Sequence, residues 1–156
     1  MKLIMENWRR FALAESEETE LNIYFSGKCK DCDPKAVREK YDFAKWEMEN
    51  GNLLILSHKD TKYNHEGKIS KIIGFSNGAQ AAFNLHTSNP EAQLVFIDPW
   101  IPRDFKAPGN FDYYGTSCFI ARGPNKRRLK VLKKTCNKEE TKFSDHLKYF
   151  KDYFKI

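Results

Sequence analysis

The sequence predicts an α/β domain: a mostly parallel sheet of about six strands with helices on both faces. Three observations predict it. Short, wholly apolar runs at residues 53–56 and 94–97 read as strands buried on both sides, the kind found inside parallel sheets. Between such runs lie stretches with apolar residues at helical spacing, as in Val37, Tyr41, Ala44 and Trp46. Residues 71–83 then pass from an apolar run (Ile72, Ile73) through Gly74-Phe75-Ser76-Asn77-Gly78 into a good helix former (Ala79, Gln80, Ala81, Ala82, Phe83). That is strand, sharp turn and helix, the repeating unit of such a sheet.

Taken in order, residues 1–18 read as a helix or arm, with Trp8, Phe11 and Ala12 on one face. Residues 21–25 alternate and are β-prone, and Ser26-Gly27-Lys28 ends that strand. Asp33-Pro34 has the form of a helix start, and Gly51 of a stop. One helix is therefore expected between them, its stripe running from Ala36 to Met48. Residues 57–68 are polar and irregular. The strand before the serine turn is expected at 69–75 and its helix at 79–86. Ser88-Asn89-Pro90 is a turn. After the 94–97 strand, residues 101–115 read as a proline- and glycine-rich loop carrying Phe105, Phe111, Tyr113 and Tyr114. Further strands are expected at 116–121 and, basic and edge-like, at 128–132. A terminal amphipathic helix covers 143–154, with Leu147, Phe150, Tyr153 and Phe154 on one face.

A chain of 156 residues with no internal repeat or linker is expected to form one domain, 1–156. Twelve Phe, seven Tyr and three Trp supply a core and set the chain apart from disordered proteins. No apolar run is long enough to span a bilayer, and the first residues lack the apolar core of a secretory signal, so a cytoplasmic protein is expected. Net charge is +6, with much of the excess between Lys126 and Lys142. That run is either a solvated face or a secondary binding surface for a polyanion such as nucleic acid.

Four cysteines are present. Cys29-Lys30-Asp31-Cys32, after a strand, has redox-motif spacing or is an incidental loop pair. It is also half of a zinc-site pattern, but no second such pair follows, and no metal or cofactor is expected. His58, Asp60 and His65 share a loop, where their spacing is that of solvated residues rather than a diagnostic ligand set.

The chemistry concentrates at Ser76. G-x-S-x-G between a strand and a helix holds a serine at a strained turn, and small neighbours are required because backbones come close there. The following helix N-terminus favours negative charge.

Gly74-Phe75-Ser76-Asn77-Gly78 resembles the nucleophile elbow of the α/β-hydrolase fold, in compact form. The resemblance covers residues from about 21 onward. It implies a serine hydrolase cleaving an ester, thioester or amide through an acyl-serine intermediate, with Ser76 as nucleophile. His146, near the start of the terminal helix, stands about where the family carries its base. The usual acid position falls in the loop 121–126, which holds Asn125 and no carboxylate. Some members use an acid after the strand that follows the elbow helix, and Asp98 fits that variant. The implied oxyanion donors are the backbone N–H groups of Asn77 and Lys28, with Cys29 as fallback. Trp100, Tyr113 and Tyr114 are the expected substrate-pocket residues, lining the mouth for a small acyl substrate. The missing acid and the basic C-terminal third also admit a non-catalytic binding protein on the same fold.

Overall fold

The computed structural model describes residues 20–100, 111–114 and 143–156, with the backbone alone for Tyr113 and residues 143–146. The expected helix at 1–18, the strands at 116–121 and 128–132, Asn125, the basic run from Lys126 to Lys142, Cys118 and Cys136 lie outside the described residues.

Five strands form one sheet: β1 (Leu21–Phe25), β2 (Asn52–Leu56), β3 (Lys71–Phe75), β4 (Gln93–Ile97) and β5 (Phe111–Tyr114), in the order β2-β1-β3-β4-β5. Every pairing is parallel. The described count is thus five. β5 falls inside the stretch that the proline and glycine content marks as loop. Its residues Phe111, Tyr113 and Tyr114 are strand formers whose backbone pairs with β4, Leu94 facing Phe111 and Ile97 facing Tyr114. Tertiary pairing thus overrides a locally loop-like composition.

Period-two alternation sends successive side chains to opposite faces. Ile23, Phe25, Ile72, Leu94 and Phe96 pack on one face with Ala79, Ala81, Ala82 and Leu85 of α3 (Ala79–Ser88). Tyr24, Leu53, Ile55, Ile73, Phe75, Val95 and Ile97 pack on the other face. There they meet Val37 of α1 (Pro34–Lys40), Trp46 of α2 (Ala44–Asn50), and Phe150 and Phe154 of α4 (Phe143–Phe154). Helices therefore cover both faces.

The single helix expected between Asp33 and Gly51 is two. Tyr41 is extended (φ −118°, ψ 141°), and the Asp42 carboxylate accepts the Ala44 N–H at 3.0 Å, starting a second helix. The break turns Phe43 and Trp46 onto the sheet, where both are buried against Phe154. Packing of three aromatic rings outweighs the continuation of a weak helix.

Among the described residues β2 is an edge strand, and one rung of its outer edge is covered. Glu47 accepts the Leu53 N–H at 3.0 Å, Arg38 donates to the Leu53 carbonyl, and Arg38 pairs with Glu47 at 2.7 Å. A charged pair thus occupies one rung of the ladder that another strand would use.

α4 runs against the strand direction. Its Leu147 lies by Cys29 and Phe75, which follow or end strands at the C-terminal edge of the sheet. Its far end is tied to the opposite edge, Tyr153 against Trp46 and Lys155 to Glu49 at 3.4 Å.

Candidate functional site

Parallel strands bring all their C-terminal ends to one edge, so Ser26-Gly27, Ser57-His58, Ser76 and Asp98 arrive there together. β1 feeds α1 and α2 on one face, while β3 feeds α3 on the other. The chain diverges between β1 and β3, and such a divergence opens a crevice at the C-terminal edge. Ser76 sits at that point.

β3 ends with Phe75 extended (φ −108°). Ser76 has φ +53°, the left-handed region that serine rarely adopts, and a 3-10 turn Ser76–Gly78 leads directly into α3. Two donors hold the strained residue by its carbonyl: the Ala79 N–H within the turn, and the Trp100 N–H at 2.8 Å. The flanking glycines are sterically required. A Cβ on Gly74 would stand 2.8 Å from Ala79 Cα, and one on Gly78 would stand 2.2 Å from the Phe25 carbonyl oxygen. Gly27, after β1, lies flat against the elbow, its Cβ position 3.1 Å from Ser76 Cβ. Ser76 itself is half-buried, and its hydroxyl donates to Asn77 Oδ1 at 3.3 Å.

Asp98 is the neighbouring strand's counterpart. Phe75 faces Ile97 in register, so Asp98 follows β4 as Ser76 follows β3. Asp98 also has a positive φ (+39°), is fully buried, and donates its N–H to the Tyr114 carbonyl at 2.8 Å. Two non-glycine residues in the left-handed region thus stand side by side at this edge. His146 lies on the first turns of α4, whose N-terminal end is at the same edge. The position of its side chain is outside the described residues, as are its distances to Ser76 and Asp98.

The backbone of Asn77 lies within the turn after Ser76, and Lys28 is exposed in the loop that begins at Gly27. Trp100 reaches the elbow through its backbone, with its ring partly exposed. Tyr114 points elsewhere: its ring packs edge-on against Tyr153, centroids 4.8 Å apart, in a groove with Trp46 and Lys71. The backbone of Tyr113 lies in β5, and its side chain is outside the described residues.

The cysteine pair is a disulfide, Cys29–Cys32, closing a turn in which the Cys32 N–H meets the Cys29 carbonyl at 3.3 Å. In that form neither sulfur is a metal ligand. Such bonds persist in oxidising compartments, and in the cytosol they mark redox-cycling pairs. Of the loop set, His65 Nδ1 pairs with the Tyr63 hydroxyl at 3.2 Å and Asp60 accepts the Ser57 N–H at 2.8 Å. Among the described residues no group of His, Cys, Asp and Glu has metal-binding geometry, and no helix is long and apolar enough to cross a membrane.

His58, read from the sequence as a solvated loop residue, lies instead beside the elbow. Its ring hydrogen-bonds to the backbone of Gly27, the glycine pressed against Ser76. Desolvation, then the charges of Lys59 and Lys28, hold its pKa below the usual value, against that hydrogen bond and Asp60. The signal lay in its place two residues after β2, but it becomes visible only once β2 is known to lie beside β1.

In comparison with known proteins, no family model, no curated protein and no solved structure matches the chain.

Proposed function

We propose that this chain is a small serine hydrolase of the α/β-hydrolase type, cleaving an ester, thioester or amide through an acyl enzyme. One observation carries the proposal. Ser76 is held at φ +53° on a strand-to-helix turn, between glycines that cannot accept a Cβ, at the divergence of β1 and β3. Backbone strain of this kind costs about 1–3 kcal/mol and persists where surrounding structure fixes it. Here the Ala79 and Trp100 N–H groups fix it.

In the proposed reaction Ser76 Oγ attacks the acyl carbon. A serine hydroxyl needs a base to accept its proton. His146 takes that proton and returns it to the leaving group, while Asp98 orients and stabilises the imidazolium. The backbone N–H groups of Asn77 and Lys28 bind the oxyanion, a role in which each donor contributes about 3 kcal/mol. A low His58 pKa keeps its ring neutral beside the oxyanion loop at pH 7.

The test is covalent labelling with a fluorophosphonate at neutral pH. Wild-type protein should form one adduct, at Ser76, and Ser76→Ala should lose it while remaining folded. Folded wild-type protein that takes no label would overturn the proposal.

A further inference from the structure

A cavity of about 220 Å³ opens at the C-terminal edge, in the crevice where β1 and β3 diverge. Tyr24 of β1 and Phe75 of β3 form its sheet wall, Val37 of α1 and Leu147 and Phe150 of α4 its helix wall, and the Cys29–Cys32 loop its rim. Phe75 precedes Ser76, and Leu147 follows His146. Ser76 does not itself line the cavity, but a Cβ at Gly27 would lie 3.3 Å from the ring of Phe75, which does, and 3.1 Å from Ser76 Cβ.

We infer that this cavity is the acyl pocket, and that it selects a short, uncharged acyl group. The inference rests on the hydrolase reading and names its substrate class. Size sets the upper bound. A dry apolar cavity of about 150 Å³ accommodates a benzene ring, so this one holds a linear or single-ring acyl body of about eight heavy atoms. Polarity sets the character. The walls are aromatic and aliphatic, and Tyr24 is buried with its phenol kept neutral by desolvation. The charged lining residues, Lys30, Asp31 and Lys40, are all exposed at the rim, and Lys40 pairs with Asp31 at 4.0 Å. A second charge at the far end of the acyl group would have to be buried among rings without a partner, which is costly. Cofactors and long lipids are excluded by the same volume.

The experiment is a series of p-nitrophenyl esters, from acetyl through butyryl, hexanoyl and decanoyl, with hemisuccinyl as the charged member. The expected kcat/KM peaks at butyryl or hexanoyl and falls at least about tenfold at decanoyl, in line with the 10–200-fold that pocket fit per methylene confers. Val37→Phe and, at the more exposed position, Leu147→Phe fill the cavity. Each should lower the ratio of hexanoyl to acetyl kcat/KM about tenfold. A flat series, a preference for decanoyl or hemisuccinyl, or folded filling variants that behave as wild type would overturn the inference.

Hexan-1-ol, which carries no acyl bond to cleave, titrated against the full chain and followed by the methyl resonances of Val37 and Leu147, separates the two readings. Methyl shifts without fluorophosphonate labelling leave the pocket and remove the hydrolase. Labelling of Ser76 without methyl shifts, with a flat ester series, leaves the hydrolase and removes the pocket. Neither signal removes both.

Discussion

Ser76 carries a conformational cost that its side chain does nothing to relieve. An L-residue in the left-handed region is disfavoured by about 1–2 kcal/mol, a penalty from which glycine is free. Elsewhere, glycine in place of alanine weakens structure by its greater unfolded-state entropy. At this position the order should reverse: Ser76→Gly should be more stable than Ser76→Ala by about 1 kcal/mol in urea unfolding. An alanine variant of equal or higher stability would mean that the turn does not hold φ +53° in solution. Ser76, Gly74 and Gly78 were legible from the sequence because the turn's chemistry is local: strand, small residue, serine, small residue, helix. Gly27 and His58 were legible only as a strand stop and a loop histidine. What makes them part of the edge is the adjacency of β2, β1 and β3, which no local pattern encodes. Asp98 was legible only as the residue after an apolar strand. Its burial and positive φ come from the register of β4 with β3 and β5.

At the scale of elements, the same division appears. β1, β2, β3, β4, α3 and α4 follow from apolar period and stop signals, and their limits differ from expectation by a residue or two. The break between α1 and α2 does not follow, because the demand for Phe43 and Trp46 to face Phe154 is tertiary. β5 was missed because a short strand amid glycine and proline owes its form to pairing with β4. The Arg38–Glu47 pair shows what one covered rung contributes. Both residues are partly exposed, so their ion pair alone is worth at most about 1 kcal/mol. Their hydrogen bonds to Leu53 add the larger effect, by keeping an edge strand from a new partner. Glu47→Ala should lower stability by about 1 kcal/mol and, above micromolar concentrations, promote self-association. Light scattering at increasing concentration checks this, and a strictly monomeric variant would refute it.

At the scale of the molecule, two buried clusters flank the sheet, one mainly aliphatic and one rich in aromatic rings. His86 is buried, its Nε2–H donating to the Ala92 carbonyl at 3.1 Å, and desolvation lowers its pKa against that bond. His58 is lowered as well, mainly by desolvation. A histidine pKa lowered by folding means that the unfolded chain binds more protons. The stability from both is full above the unfolded value of about 6.5 and is lost as pH falls through the lower folded values. Tyr24 and Tyr153 are raised, first by desolvation and then by neighbouring Tyr41 for the one and Tyr114 and Asp112 for the other. Their contribution is full below the unfolded value of about 10 and is lost as pH rises beyond it. The urea midpoint should therefore fall on acidifying from about pH 6.5 to 5 and again above about pH 10. His86→Gln should flatten the acid limb and Tyr153→Phe the alkaline one. Limbs unchanged in these variants would show that other groups dominate.

The covered rung on β2 also raises the cost of extending the sheet on that flank. With the Leu53 amide and carbonyl occupied by Glu47 and Arg38, a strand added on that flank would have to displace both side chains at that rung. A segment of another molecule that approaches β2 therefore meets a charged pair at Leu53 before it meets the backbone there.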